Sequence, residues 1–120
     1  MLPAIAQENR YSLSSFLDYF DKGGVNIEDQ VSQNYIKDFA AHNDPTIIRV
    51  MVNDVKRSGY NGEGRSVVYS YAIQDMYKEN DRNKKEVLDA LRSIIKIGSK
   101  EEISIADDFL ADVEALDKGH

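Results

Sequence analysis

Three aspartates near the C-terminus are the residues whose type and spacing come closest to a chemical site. Asp107, Asp108 and Asp112 supply three carboxylates, and the last two lie one helical turn apart. Carboxylate metal sites in helical bundles take further ligands, often histidine, from facing helices. The sequence contains no such motif, so we interpret these aspartates as a solvated acidic helix face and predict no metal.

The other candidates for catalysis are few. His42 lies in the corner "AAHNDP", where a lone histidine is much more often a surface or capping residue than a catalyst, and His120 is the last residue. The segment "YNGEGR", residues 60–65, lacks the spacing and the lysine of a phosphate-binding loop. The absence of cysteine excludes disulfides, thiol catalysis and cysteine-ligated zinc. We therefore predict no enzymatic activity and no cofactor.

Charge is concentrated at one end of the chain. The 120 residues include 21 acids and 15 bases, which gives a net charge of −6. Seven of the acids but only two of the bases lie within residues 99–120, so this segment alone contributes −5. An acidic balance argues against direct binding to nucleic acid, whose phosphates attract basic surfaces. The charge is therefore a property of one terminal element.

Within that element, three acids are spaced to share one face of a helix. Glu101, Asp108 and Asp112 recur at intervals of seven and four residues, and Phe109 and Val113 belong to the buried side. Acids towards a helix C-terminus are mildly unfavourable because the unpaired carbonyls there already carry partial negative charge. We interpret Glu101, Asp108 and Asp112 as candidate partner-binding residues.

Tyrosine is the second sign of a protein interface. The chain has seven tyrosines and no tryptophan, and tyrosine is enriched where proteins meet because it combines a large apolar ring with a polar tip. Tyr69 and Tyr71 are two residues apart, so on a helix they cannot share a face and one of them should be exposed. Tyr60 falls in the predicted loop. We take Tyr60, Tyr69 and Tyr71 as further candidates for partner binding.

Apolar residues repeat with helical spacing along most of the chain. The pattern predicts an all-α fold in a single domain of about five or six amphipathic helices, with residues 1–10 as a flexible N-terminal segment. Ile27, Val31, Tyr35 and Phe39 should line the buried face of the second helix. The predicted helices span residues 12–22, 26–42, 45–58, 66–80, 80–97 and 99–118.

The second half of the chain contains one ambiguous segment and one clear helix boundary. Residues 66–77 contain "VVYSYAI", which could form a strand, but we favour a helix because no second strand is evident. Ser99 and Glu102 have the spacing of a capping box, and Gly98 should end the preceding helix. The last two helices should therefore form a tight αα-hairpin in which Phe109 is buried against the helix that holds Leu91 and Ile95.

The first half of the chain resembles a known protein family. "YSLSSFLDYFDKGG" and "YIKDFAAHNDPTIIRVMVNDVKRSG", within residues 11–59, are similar to small immunity proteins of bacterial contact-dependent growth inhibition systems. Those proteins usually continue the Tyr-Phe pair with a His-Gln-Asp-Trp-like run, where this chain has "DKGG". The matching residues are Leu13, Phe16, Leu17, Tyr19, Phe20, Asp38, Phe39 and Val55.

The resemblance implies a non-catalytic, cytoplasmic inhibitor. Its partner would be the toxic C-terminal domain of a cognate effector, a basic domain that is often a nuclease. The alternative is a small acidic helical regulator or adaptor that binds another cellular protein. The opening residues lack the features of a signal peptide, and no apolar run is long enough to span a membrane. The sequence leaves the oligomeric state open.

Overall fold

The structure is a computed structural model that describes residues 12–21, 29–42, 44–58 and 63–118. Within these residues the chain folds into helices joined by short turns and contains no strand, which confirms the all-α prediction. None of the described helices is both long and apolar enough to cross a lipid bilayer. The helices are α1 (Leu13–Asp21), α2 (Gln30–Ala41), α3 (Ile48–Ser58), α4 (Glu63–Glu79), α5 (Asp81–Ile97) and α6 (Lys100–Lys118), with a 3₁₀ turn (Pro45–Ile47) leading into α3.

Polar side chains begin α1, the 3₁₀ turn, α5 and α6 by accepting hydrogen bonds from backbone N–H groups that would otherwise lack a partner. Asp44 stands before Pro45 as the sequence predicts, although the chain makes one 3₁₀ turn before it continues as α3. The pKa of Asp44 is lowered, mainly because its carboxylate accepts the Thr46 N–H. The capping bonds are Ser15 N to Ser12 Oγ (3.1 Å), Thr46 N to Asp44 Oδ1 (2.9 Å), Asn83 N to Asn80 Oδ1 (2.8 Å) and Glu102 N to Ser99 Oγ (3.2 Å).

Helix α4 lies at the centre of the bundle, against α2, α3, α5 and α6. It includes residues 66–77, which are helical and do not form a strand. A helix that packs on several sides has no single apolar stripe, which explains why its sequence pattern is ambiguous. Its buried residues are Val68, Tyr69, Ser70, Ala72, Ile73, Met76 and Tyr77.

The predicted hairpin of α5 and α6 is confirmed. The N–H of Gly98 donates to the carbonyl oxygen of Ile94 (2.7 Å), and Glu102 completes the capping box by accepting the Ser99 N–H (2.8 Å). Glycine is required at position 98 because an added Cβ would lie 2.6 Å from the Ile94 carbonyl oxygen. Phe109 is buried in the same core as Leu91, and α5 packs along α6.

One part of the second helix differs from the prediction. Helix α2 begins at Gln30, and Val31 is 63% exposed although its spacing placed it in the core. A repeat of four residues drifts by about 40° per turn from the true helical period of 3.6, so residues chosen at that spacing leave the buried face. Ile36 and Phe39 are buried, and Tyr35 packs partly against them. The predicted start at residues 26–28 and the N-terminal segment lie outside the described residues.

Candidate protein interface

The three acids predicted to share a face of the last helix do so. Glu101, Asp108 and Asp112 are all exposed along α6, and we call these three residues the acidic stripe. Their exposure follows from the helical period, because Ala106, Phe109 and Val113 form the buried side of α6 about 100° away. Glu102, which follows Glu101 in the chain, is the glutamate of the capping box. Its pKa is lowered chiefly by the hydrogen bond from the Ser99 N–H. That the acidic stripe contacts a partner remains a prediction.

Asp112 is bonded to the central helix. The Ser70 hydroxyl on α4 donates to Asp112 Oδ2 at 2.6 Å, and Gln74 Nε2 donates to Ser70 Oγ at 3.0 Å. The amide of Gln74, the hydroxyl of Ser70 and the carboxylate of Asp112 therefore form a short chain of hydrogen bonds across the groove between α4 and α6. We call this chain the polar bridge.

A second acid of α6 is held in the same way. The Tyr77 hydroxyl donates to Asp117 Oδ2 at 2.6 Å, and Lys84 Nζ lies 3.8 Å from Asp117 Oδ1. The hydrogen bond to Asp117, helped by burial, raises the pKa of Tyr77 to about 12. Since positions 70 and 77 on α4 pair with 112 and 117 on α6, the two helices run side by side in the same direction. Acids near the end of α6 thus hold α4 in place.

The three tyrosine candidates have different outcomes. Tyr71 is 49% exposed and Tyr69 is fully buried, so the expectation that one of the pair faces solvent is confirmed. The prediction that Tyr69 binds a partner is wrong, because its side chain is fully buried. Its ring lies 5.8 Å from that of Phe16, inside the aromatic contacts between α1 and α4. Tyr60 lies outside the described residues.

Tyr71 borders a small cleft between α2 and α4. The cleft measures about 240 Å³ and is lined by Gln33, Ile36, Lys37, Tyr71 and Asp75. This volume is below the roughly 300–1,000 Å³ that small-molecule sites usually have. It suits one or two side chains of a partner better than it suits a cofactor.

Tyr71 and Asp112, the residue of the acidic stripe that is bonded to α4, lie on the two flanks of this helix. Ser70 turns towards α6 and bonds Asp112, while the next residue along α4, Tyr71, turns towards α2. Gln74 lies between them, one turn further along α4. The central helix therefore presents an aromatic ring on one flank and negative charge on the other. Sequence spacing alone could not show this, because it does not reveal which helices are neighbours.

A buried polar network, which the sequence analysis missed, joins α3 to α4. Asp54 is only 4% exposed; its Oδ2 accepts the Tyr69 hydroxyl at 2.7 Å and an Arg65 N–H at 3.0 Å. Arg57 donates to Asp54 Oδ1 at 2.6 Å. Burial, and then the hydrogen bond to Asp54, raise the pKa of Tyr69, so its hydroxyl stays protonated as a donor. The signal in the sequence was Asp54 beside the apolar residues of α3, three residues before a basic residue.

This network is structural rather than chemical. Both oxygens of Asp54 accept hydrogen bonds, and two guanidinium groups neutralise its charge. No buried polar side-chain atom lacks a hydrogen-bond partner among the described residues. A fully paired carboxylate leaves no acceptor directed at a substrate, so we assign the network to holding α3 against α4.

In the described parts of the chain, no three histidine or acidic residues lie together as metal ligands. His42 ends α2, where its Nδ1 lies 2.8 Å from the Asp38 carbonyl oxygen. A larger cleft of about 540 Å³ is lined in part by Tyr77, Lys84 and Asp117, and these three residues already pair with one another.

Comparison of the chain with protein-family models, with curated proteins and with solved structures finds no match.

Proposed function

We propose that this chain is a non-catalytic immunity protein that binds and neutralises the toxic C-terminal domain, a nuclease, of a cognate effector. The proposal rests chiefly on helix α4. This helix has the half-exposed Tyr71 on one flank and is bonded on the other flank to Asp112 of the acidic stripe. The resemblance of residues 11–59 to immunity proteins of contact-dependent growth inhibition systems supports it.

The charge of this face suits a nuclease partner. A nuclease binds a polyanion, so the cleft that holds its substrate is basic. A negative helix face complements such a cleft, steers the encounter and suppresses binding to acidic proteins. Exposed tyrosine adds apolar contact area to the electrostatic attraction. An inhibitor of this kind needs neither a metal nor a cofactor, and it acts in the cytoplasm, where nucleic acid is within reach of the toxin.

Gene order and growth give the direct test. An immunity gene follows its toxin gene, so the C-terminal domain of the effector encoded immediately upstream should be expressed alone and together with this chain. We expect the domain alone to stop growth, and co-expression to restore it. The purified chain should also abolish nucleic-acid cleavage by the domain in vitro, with an affinity in the nanomolar range or tighter.

A toxin domain from an unrelated effector is the matched control, and this chain should not protect against it. A neighbouring gene without a toxin domain, or a toxin domain that kills equally well in the presence of this chain, would contradict the proposal. Binding without protection would favour the regulator or adaptor instead.

A further inference from the structure

The two flanks of α4 differ in chemistry, and each suits a different kind of side chain. On the α2 flank, the cleft of about 240 Å³ has the buried Ile36 beneath it and the half-exposed ring of Tyr71 at its edge. Val67, one turn before Tyr71, is 37% exposed and extends the apolar surface. On the α6 flank lie Asp108 and Asp112, reached across the polar bridge.

Not every exposed apolar residue of the described chain has such a neighbourhood. Ile97 is 70% exposed at the end of α5, but it shares a cleft with Arg49 of α3. Val50 is 45% exposed and is adjacent to Arg49 in the chain. Lys56, near the same corner, lies 3.9 Å from Glu102. At this corner the charge of Glu102, which lines the same cleft, is already offset by Arg49 and Lys56, whereas beside Tyr71 a basic partner would meet the acidic stripe.

We infer that the partner docks along α4, with an apolar side chain in the cleft between α2 and α4 and basic side chains on Asp108 and Asp112. This inference rests on the proposed function and names the part of the toxin domain that the face fits: a basic segment that carries one exposed apolar or aromatic residue. Interfaces have this composition when an anchor residue fills a pocket and charged groups surround it. The occupant follows from charge complementarity with the stripe, since Lys37 and Asp75 within the cleft offset each other and leave the net negative charge on α6.

The anchor is tested with a pair of matched variants and the purified upstream toxin domain. Tyr71→Ala removes the ring at the cleft, and Ile97→Ala removes an exposed apolar side chain beside Arg49, away from the cleft between α2 and α4. We expect Tyr71→Ala to weaken binding at least about tenfold, chiefly through faster dissociation. Ile97→Ala should bind as the wild type does. Because both residues are exposed, thermal melting should show both variants folded.

The role of the charges is tested with two double variants of α6 that have the same net charge. Glu101→Lys with Asp108→Lys reverses two residues of the stripe, and Asp107→Lys with Glu114→Lys reverses two exposed acids about 100° or more around α6. Only the first pair should slow association by about tenfold at low salt. Hydrogen exchange of the complex should show protection in residues 30–41 and 63–79.

The outcomes separate this inference from the proposed function. The wild type could neutralise the toxin domain while hydrogen-exchange protection is confined to α3 and α5 and Tyr71→Ala binds normally. That result would contradict the docking face but not the immunity function. Equal slowing by both charge reversals would also overturn it, since it would show general electrostatic steering without contact at the stripe. Failure of the wild type to neutralise the toxin domain would overturn both.

Discussion

The hydroxyl of Ser70 donates a hydrogen bond of 2.6 Å to Asp112, and this bond ties the middle of α4 to the acidic stripe of α6. Ser70 is only 9% exposed, so its hydroxyl has little access to water as an alternative acceptor. Asp112 therefore aligns α4 with α6, and it also contributes charge to the proposed interface. The other stripe residues of the described chain, Glu101 and Asp108, have no comparable bond to α4.

Charge reversal within the stripe should consequently separate stability from binding. Sequence spacing alone suggests that reversing Asp108 and Asp112 together leaves stability within about 1 kcal/mol. The structure changes that expectation, because Asp112→Lys leaves the Ser70 hydroxyl without its acceptor and should cost about 1–3 kcal/mol. Asp108→Lys should change the free energy of unfolding by no more than about 0.5 kcal/mol. Urea denaturation of the two single variants checks this, and equal stabilities would refute the structural role of Asp112.

Phe109 tests the packing of the terminal hairpin. The side chain is 1% exposed in the core between α5 and α6, so Phe109→Ala should cost about 3–5 kcal/mol. Ile97→Ala, at an exposed position on α5, should cost less than about 0.5 kcal/mol. Both values come from equilibrium unfolding. A cost for Phe109→Ala below about 1 kcal/mol would mean that α6 frays or docks differently.

The Asp54 network should respond unequally to loss of its members. Asp54→Ala removes a buried carboxylate that accepts hydrogen bonds from Tyr69 and from two arginines, and we expect a loss of about 3–5 kcal/mol. Tyr69→Phe removes one donor but leaves both arginines on Asp54, so it should cost only about 1–2 kcal/mol. Thermal or urea unfolding of the two variants gives the comparison. Similar costs would show that the carboxylate has little structural role beyond its bond to Tyr69.

Metal binding gives a prediction about the acidic stripe itself. Asp108 and Asp112 are one turn apart, but among the described residues no third ligand joins them. Calorimetric titration with Mg²⁺, Ca²⁺ or Zn²⁺ should therefore show no stoichiometric binding at micromolar affinity. Such binding, abolished by Asp108→Asn, would contradict our interpretation of the stripe as a protein-binding face.

Local signals in the sequence predicted helix ends better than they predicted which side chains are buried. The capping box at Ser99 and Glu102 and the Asp44–Pro45 start were predictable because each involves residues within one turn. The exposure of Val31 and the burial of Tyr69 were not, since both depend on which helices lie nearby. The same reason explains why spacing placed the acidic stripe on one face but could not pair Asp112 with Ser70.

The alkaline stability of the protein should depend on Tyr77. Its hydroxyl donates to Asp117, and deprotonation would place a phenolate against that carboxylate and lose the hydrogen bond. The pKa of Tyr77 is therefore about 12 in the folded chain, against about 10 in an unfolded one. Because the folded pKa is the higher, this bond contributes its full stability below pH 10 and loses it progressively between about pH 10 and 12.

We accordingly expect Tyr77→Phe to be less stable than the wild type at pH 8 and to lose less of its remaining stability between pH 10 and 12. Asp117→Asn removes the carboxylate but keeps the phenol, so the pKa of Tyr77 should fall back towards its ordinary value of about 10. Absorbance of tyrosinate near 295 nm follows the titration, and unfolding at several pH values gives the stability. Tyr71→Phe is the control, because the half-exposed Tyr71 takes no part in the bond between α4 and Asp117. An unchanged alkaline slope in Tyr77→Phe would show that Asp117 does not hold α4 in solution.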